Sequence, residues 1–289
     1  MTAMKDDYEL LDSGDGRKLE RFGRYVLARP CSQALWRPAR AESDWARADA
    51  SFDREDGNRW HGRGNLPKEW TIETAGMAFR LGGTDFGHLG IFPEQRAQWR
   101  WIRSTVNQAI RQSSNQIIPR VLNLFAYSGG STLAAALGGA EVCHLDASRG
   151  MVEWARENAR LNGLGDHPVR WIVDDAHKFM RREIRRGRRY DAVVLDPPTF
   201  GRGAGGEMYK IERDLKETLG LVRELLSETP LFVLFSSHTP GLSPAVAENV
   251  LGQLWPTARL ESGEMLLEGA GLPSPSGIYC RAVFPFVRK

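Results

Sequence analysis

Short apolar runs alternate with longer amphipathic stretches from residue 121 onward. The runs have the length of buried strands, and the stretches between them carry apolar residues at helical spacing. The pattern predicts, in order, strand 121–125, helix 131–137, strand 141–145, helix 149–161, strand 169–173, helix 176–186, strand 190–195, helix 212–227, strand 231–236 and helix 243–254. A further helix is predicted over 94–112. Such alternation is typical of a parallel sheet with helices on both faces.

The last two apolar runs break this alternation. They cover 260–267 and 278–284, and a loop rich in Gly, Pro and Ser joins them without a helix. The pattern therefore predicts an α/β fold with a Rossmann-like seven-stranded sheet whose last strand is antiparallel. A dinucleotide-binding sheet instead keeps a sixth parallel strand.

Residues 1–85 lack sustained helical periodicity. Strand-like runs at Leu10-Leu11, Tyr25–Leu27, Trp70–Ile72 and Met77–Leu81 are separated by turn signals such as Ser13-Gly14-Asp15-Gly16. We expect a small β-rich domain over 1–85, with substrate recognition as its role, and a larger catalytic domain over 86–289.

The stretch 120–146 has the order of a nucleotide half-site. A strand leads into the turn Tyr127-Ser128-Gly129-Gly130, a helix of small residues follows, and a second strand ends on Asp146. An acid about 20 residues beyond such a turn can accept both hydrogens of a ribose diol. The turn has two glycines in place of the spaced triplet that holds a pyrophosphate, which favours S-adenosylmethionine, a nucleoside cofactor without phosphate.

Two more acids follow successive predicted strands. Asp175 can accept from an adenine amino group, with Ala176 beside the ring, whereas a single such acid is also common as a solvated strand end. Asp196, Pro197, Pro198, Thr199 and Phe200 form a rigid corner after the fourth strand. Phe200 can stack on a flat substrate ring, and the competing interpretation is an ordinary Asp-Pro turn.

Three segments carry a resemblance to a known family: NLFAYSG (123–129), LDASRGMVEWARENARLNGL (145–164) and DPPTF (196–200). The chain resembles class I S-adenosylmethionine-dependent methyltransferases that modify bases of large-subunit ribosomal RNA. It is especially similar to the guanine-N7 methyltransferase module of the bifunctional 23S rRNA enzyme, and it is related to the cytosine-C5 branch. The resemblance covers roughly residues 85–240, and an antiparallel last strand characterises this class.

The resemblance implies the site. Residues 90–96 (GIFPEQR) are similar to the family's entry to the domain, which implies Gln95 and Arg96 as cofactor contacts. A plain helix start at Pro93 is the alternative. The expected cofactor contacts are Gln95, Arg96, Phe125, Ala126, Tyr127, Gly129, Asp146, Ala147, Ser148, Asp175 and Ala176. The expected acceptor-side residues are Asp196, Pro197, Pro198 and Phe200, and no metal is expected.

One difference from the cytosine-C5 branch concerns its cysteine nucleophile. Cytosine-C5 enzymes use a cysteine nucleophile after the fifth strand, but here that strand ends Phe235-Ser236-Ser237-His238. We therefore expect methylation of a nitrogen, which needs no covalent intermediate, with ring and exocyclic nitrogens both open. His238 could be a general base, although a histidine after a strand is more often an ordinary loop residue.

The distribution of charge and the cysteine content bear on the binding partners and the cellular compartment of the protein. The formal net charge of +3 is small, but 178–189 contains seven basic residues and only Glu183 as an acid, so this run carries +6 and the rest −3. The run can contact phosphates or form a solvated face. Three widely spaced cysteines favour reduced thiols over a disulfide framework or a zinc site. No apolar run has the length of a membrane span or signal core, so a soluble, cytoplasmic protein is expected.

The predicted function is S-adenosylmethionine-dependent methylation of a nitrogen of an RNA base, with rRNA as the expected partner. The alternatives are a methyltransferase acting on a protein side chain or small molecule, a nicotinamide-dinucleotide dehydrogenase, and a non-catalytic RNA-associated module. The glycine-rich segment 201–208 is expected to be a flexible loop that could act as a substrate lid. The sequence leaves the acceptor molecule and the oligomeric state open.

Overall fold

The computed structural model describes residues 6–54, 57–113, 117–203, 206 and 208–285. The chain packs as two compact units, one formed by 6–96 with 266–276 and the other by 97–265 with 277–285. Residues 86–96 pack within the first unit. The expected division into functional domains after residue 85 stays a prediction.

The first unit consists mainly of strands. Its elements are β1 (Tyr8–Gly14), β2 (Arg17–Phe22), β3 (Tyr25–Pro30), α1 (Glu42–Trp45), β4 (Ala50–Asp53), β5 (Arg59–His61), β6 (Trp70–Thr74) and β7 (Met77–Leu81). Strands β1 to β5 form a sheet in sequence order, and β6 and β7 form a separate antiparallel pair. Each of the four strand-like runs lies within one of these strands, which confirms the predicted β-rich N-terminal region.

The second unit contains the large sheet and its helices. The elements are α2 (Arg96–Gln112), β8 (Arg120–Leu124), α3 (Gly130–Leu137), β9 (Glu141–Asp146), α4 (Arg149–Leu161), β10 (Val169–Val173), α5 (Ala176–Arg185), β11 (Ala192–Leu195), β12 (Phe200–Arg202), β13 (Met208–Lys210), α6 (Ile211–Leu225), β14 (Phe232–Ser237), α7 (Pro244–Leu254), β15 (Arg259–Leu267) and β16 (Ser274–Val283). The first residue of α2, the last two residues of β15 and the first three residues of β16 belong to the first unit.

The sheet has the strand order β10-β9-β8-β11-β14-β16-β15. Strands β8 to β11 and β14 run parallel, and β16 runs antiparallel to β14, with Phe235 opposite Cys280. The predicted seven-stranded sheet with an antiparallel last strand is confirmed. Every residue of β11 and β14 is buried, as expected for strands covered on both faces. Side chains of α5 and α6 such as Phe179 and Leu219 pack onto this layer.

The topology places the carboxyl ends of the parallel strands at one edge of the sheet. Because β8 lies between β9 and β11, the turn after β8 is flanked by Asp146 on one side and by Asp196 on the other. This is the edge at which open α/β sheets bind their ligands.

The segment after Phe200 differs from the expected flexible loop. Its two ends pair as β12 and β13, with Phe200 opposite Lys210 and Arg202 opposite Met208. Residues 204, 205 and 207 of the expected loop lie outside the described residues. The paired ends make a short ribbon, which we call the acceptor ribbon (200–202 and 208–210).

Within the part of the chain that the structure describes, no helix combines the length and the apolar character that crossing a membrane requires.

Candidate active site

The turn after β8 has an unusual backbone. Phe125 and Tyr127 both have positive φ angles, 54° and 50°, although neither is a glycine. Such conformations cost of order 1–3 kcal/mol each and concentrate at functional sites, where the surrounding structure enforces them. Here the enforcing contacts include the Ala126 N–H, which donates to the Leu145 carbonyl at 3.0 Å and ties the turn to β9.

Gly129 ends the turn and begins α3. Its φ of 93° lies in the left-handed region, and a Cβ atom there would come within 3.0 Å of the Ala155 Cβ on α4. The glycine therefore allows both the left-handed conformation and the close packing of α4. Since this face of Gly129 is filled by protein, any ligand must approach the turn from its other side.

Asp146 connects the turn with the start of α4. Its Oδ2 accepts from the Tyr127 N–H at 2.9 Å, and its Oδ1 accepts from the Ser148 N–H at 2.8 Å. Desolvation raises the pKa of the Asp146 carboxyl, and these two N–H donors oppose that rise. A carboxylate offers about four acceptor positions, so two backbone bonds leave room for a ribose diol.

Ala147 and Ser148 continue from this carboxylate into the helix. Ala147 is half-buried and Ser148 is exposed, and the Ser148 Oγ accepts from the Met151 N–H at 3.4 Å as the N-cap of α4. Their predicted role as cofactor contacts remains a prediction.

Asp175 has a structural task as well as a predicted binding task. It is the N-cap of α5, and its Oδ1 accepts from the Lys178 N–H at 2.9 Å. Its second oxygen is not needed for the cap, so the cap is compatible with binding of an adenine amino group. Ala176, the next residue, is buried in the core of the second unit, which contains the large sheet.

The Asp-Pro-Pro corner after β11 lies beside the end of β14. The Asp196 Oδ1 is 3.4 Å from the His238 Nδ1, and both side chains keep about a quarter to a third of their surface exposed. Thr199 and Thr239 join the same two segments through an Oγ1–Oγ1 hydrogen bond of 2.9 Å. His238, weighed in the sequence as a general base or a loop residue, is thus next to Asp196.

Pro197 and Pro198 hold the corner, and Phe200 follows at the start of the acceptor ribbon. Pro197 is buried and Pro198 half-buried, whereas the Phe200 ring is 53% exposed. The Lys210 Nζ lies 6.0 Å from the centre of that ring. An exposed aromatic ring with a cation nearby is available to a flat, electron-rich ligand.

Tyr209 of the acceptor ribbon contacts both α5 and the turn after β8, which we call the cofactor turn. The sequence did not indicate these contacts. Its ring centre is 5.2 Å from that of Phe125 and 5.9 Å from that of His177. Thr218 on α6 binds both partners, with its Oγ1 3.2 Å from the Tyr209 hydroxyl and 2.8 Å from the His177 Nε2. Burial raises the pKa of Tyr209 to about 12, so its hydroxyl stays neutral.

Gln95 and Arg96 belong to the first unit. Both follow Pro93, the first residue of a single 3-10 turn that runs directly into α2, as the helix-start interpretation expected. The Arg96 guanidinium donates to Asp6 at 3.0 Å and lies 4.6 Å from the centre of the Tyr8 ring. Gln95 is buried. The predicted cofactor contacts of these two residues remain predictions.

The two buried cysteines are poor nucleophiles. Cys143 lies in β9 and Cys280 in β16, and desolvation raises the pKa of these thiols to about 11 and about 12. Cys31 belongs to the first unit, where its Sγ is 3.2 Å from the Ser274 Oγ. A thiolate, the reactive form, is therefore scarce at Cys143 and Cys280 near neutral pH.

These residues fit S-adenosylmethionine. The turn offers main-chain groups without a spaced glycine triplet, Asp146 retains acceptor positions, and Asp175 stands at the next strand end. The same edge of the sheet presents the exposed aromatic ring of Phe200. When bound, the cofactor supplies an electrophilic methyl group on a sulfonium.

Two curated relatives are ribosomal RNA methyltransferases. The chain is 31% identical over 173 residues to the ribosomal RNA large subunit methyltransferase K/L of Magnetococcus marinus, covering 59% of this chain and 22% of that protein. It is 31% identical over 175 residues to the ribosomal RNA large subunit methyltransferase I of Aeromonas salmonicida, covering 57% and 43%. The chain thus spans less than half of either curated relative.

A solved structure matches almost the whole chain. The S-adenosylmethionine-dependent methyltransferase from Agrobacterium tumefaciens superposes with a TM-score of 0.89 at 37% identity, covering 96% of this chain and 91% of that one. The sequence model of the S-adenosylmethionine-dependent methyltransferase family matches residues 27–248. This match includes the turn after β8, Asp146, Asp175 and the Asp196 corner. The chain therefore belongs to the S-adenosylmethionine-dependent methyltransferase family, and its cofactor is S-adenosylmethionine.

Proposed function

We propose that this methyltransferase modifies a nitrogen atom of an RNA base, with ribosomal RNA as the substrate. The observation that carries the proposal is the exposed Phe200 ring, four residues after Asp196, at the sheet edge next to the cofactor turn. A flat base can stack on Phe200 while a polar atom of its edge meets Asp196. The similarity to two ribosomal RNA large subunit methyltransferases supports ribosomal RNA as the acceptor.

The chemistry at the acceptor side favours nitrogen over carbon. Methylation of cytosine C5 needs a nucleophile that adds to the ring, and the end of β14 offers Ser237 and His238 instead of a cysteine. A nitrogen with a lone pair needs only alignment with the methyl donor. For an exocyclic amine, Asp196 can accept one N–H, and the neighbouring His238 is placed to receive the released proton.

The residues divide into two groups under this proposal. Gln95, Arg96, Phe125, Ala126, Tyr127, Gly129, Asp146, Ala147, Ser148, Asp175 and Ala176 hold the cofactor. Asp196, Pro197, Pro198 and Phe200 shape the acceptor side. The first unit contributes to substrate selection, and its exposed apolar side chains Leu35 and Phe86 are available for such contacts.

Mass-spectrometric mapping of modified nucleosides tests the proposal directly. RNA from cells lacking the protein should miss one N-methylated nucleoside, which the parent chain restores and Asp196→Ala does not. Loss of a C5-methylated cytosine would contradict the choice of nitrogen. Transfer of labelled methyl groups only into protein or small molecules would favour the alternative acceptors.

Substitution of Phe200 tests whether its ring contacts the acceptor or the cofactor. Phe200→Ala should reduce turnover more than cofactor affinity, because the ring is assigned to the acceptor, and Phe200→Trp should retain most activity. A larger loss in cofactor affinity than in turnover would place Phe200 in the cofactor pocket.

A further inference from the structure

A cleft lies at the opposite edge of the large sheet, where the parallel strands begin. Arg120 and Glu141 are the first residues of β8 and β9, and both line it. Arg170, Arg188 and Arg189 complete the charged lining, so four arginines face one glutamate and the formal net charge is +3. The cleft has a volume of about 320 Å³ and an apolar floor that includes Pro168 and Tyr190.

The end of α5 directs two of these arginines. Gly187, with φ of 66°, follows the helix, and the Arg188 N–H donates to the Glu183 carbonyl while the Gly187 N–H donates to that of Ile184. This pair of bonds is a Schellman motif, which favours glycine at the left-handed position. The motif ends the helix, so Arg188 and Arg189 extend beyond it.

Ion pairing distinguishes these two arginines from three others of the basic run. Arg181 pairs with Glu217, Arg182 with Asp174 and Arg186 with Glu183. In the described parts of the chain, Arg188 and Arg189 form no ion pair with a carboxylate, and Arg189 donates to the Arg188 carbonyl at 2.9 Å. Three of the seven basic residues of the run are therefore paired, and Arg188 and Arg189 bring two further positive charges to the cleft.

A buried carboxylate fixes the third arginine. The fully buried Glu183 accepts from Arg170 at 2.9 and 3.4 Å, and it also accepts from the Tyr190 hydroxyl at 2.7 Å. Desolvation acts to raise the pKa of Glu183, but the hydrogen bonds from Arg170 and Tyr190 outweigh it and hold that pKa below its usual value. Arg170 is thus held in place in the lining of the cleft.

We propose that this cleft docks backbone phosphates of the RNA substrate. Guanidinium groups suit phosphate oxygens because their planar N–H donors can bind two oxygens at once. A solvated face would explain the arginines of α5 alone, but not the convergence of β8, β10 and the loop after α5 on one concavity. With β8 five residues long, the cleft is about 17 Å from the acceptor edge. It therefore positions the RNA without contacting the modified base.

The inference rests on the proposed RNA substrate, and the double substitution Arg188→Gln with Arg189→Gln tests it. Binding of a fluorescein-labelled single-stranded polyuridylate is measured at several KCl concentrations. We expect about tenfold weaker binding and a salt dependence reduced by about 1.4 in log–log slope, since two phosphate contacts are lost. KM for RNA should rise while kcat and the affinity for S-adenosylhomocysteine stay unchanged.

The matched control substitutes Arg103 and Arg111 by glutamine. Both are exposed arginines on α2, outside the cleft, and this variant should bind RNA like the parent chain. If the cleft variant binds as tightly as the parent with the same slope, the cleft has no part in docking, and the proposed function still stands. If the parent neither retains nor methylates RNA at low salt, the proposed function itself fails. Displacement of the RNA by micromolar AMP would identify a free-nucleotide site and overturn the docking inference.

Discussion

A single carboxylate can organise the backbone of a site and bind its ligand. Asp146 accepts from the Tyr127 N–H, which belongs to the left-handed turn, and from the Ser148 N–H, which opens α4. The turn conformation that exposes main-chain groups to the cofactor is therefore held by the residue expected to bind its ribose. Binding and local stability are linked at this position.

Replacement of Asp146 by alanine should affect both properties. We expect cofactor affinity to fall by about 1–3 kcal/mol and the free energy of unfolding without cofactor by about 1–2 kcal/mol, because charged hydrogen bonds are lost in each case. Titration calorimetry with S-adenosylhomocysteine and urea unfolding measure the two. Asp191→Ala is the control, since Asp191 accepts from the Arg120 N–H away from the turn. Unchanged affinity in Asp146→Ala would remove the ribose role.

His144, two residues earlier, is a buried titratable group behind the same turn. Its Nδ1 is 2.9 Å from the Thr132 Oγ1, which also accepts from the Asn123 amide at 2.9 Å. The Thr132 Oγ1 is thus shared by the His144 imidazole and the Asn123 amide. Its ring lies 4.9 Å from that of Trp171, and full burial lowers the pKa of His144 to about 3.

This depressed pKa predicts acid sensitivity. Between about pH 6.5 and pH 3 the unfolded chain binds a proton at His144 that the folded chain excludes, so stability falls as pH falls through this window. His144→Leu should lessen that loss by roughly 3 kcal/mol at about pH 4, although the variant starts less stable. Urea unfolding across this pH range measures the effect, with the exposed His61→Leu as control. Equal pH slopes in parent and variant would show that His144 titrates normally.

At the scale of elements, the sequence predicted most of the sheet unit. Buried parallel strands are continuous apolar runs, and amphipathic helices repeat at 3.6 residues, so both are visible locally. The strands of the acceptor ribbon have three residues each and adjoin glycines, too short a pattern to recognise. Tyr209 and His177 were missed for a related reason, since their meeting with Phe125 depends on tertiary packing. The cap at Asp175 was visible in principle, because an acid directly before a helix is a capping signal.

Substitution of Tyr209 tests how the acceptor ribbon is attached to the cofactor turn. Tyr209→Ala removes the ring between Phe125 and His177, so the ribbon loses its attachment to the cofactor turn. We expect weaker cofactor binding by about 0.5–1.5 kcal/mol, together with a higher KM for the acceptor. Tyr209→Phe keeps the ring and loses only the bond to Thr218, so it should lie close to the parent. Hydrogen exchange over 200–210 should quicken in the alanine variant alone, and equal exchange in all three would show that Tyr209 does not hold the ribbon.

At the scale of the whole molecule, the known relatives match different shares of the chain. The solved Agrobacterium structure covers 96% of it, including both compact units, whereas the two curated ribosomal RNA methyltransferases cover 57–59%. The chain also passes from the second unit to the first and back at 266–276, between β15 and β16. The residues assigned to the ribose and the adenine lie in the second unit, which leads to a prediction about how a ligand stabilises the protein.

A ligand that binds only the folded state raises stability by an amount set by its concentration and affinity. S-adenosylhomocysteine at about 100 times its Kd should stabilise the protein by about 2.7 kcal/mol, and NAD+ at the same concentration should have no effect. Scanning calorimetry of the full chain measures this, and Asp146→Ala should need more ligand for the same shift. If the units unfold separately, the transition of the second unit should move, because Asp146 and Asp175 both belong to it. A shift produced by NAD+ alone would return the turn after β8 to the dinucleotide-binding interpretation.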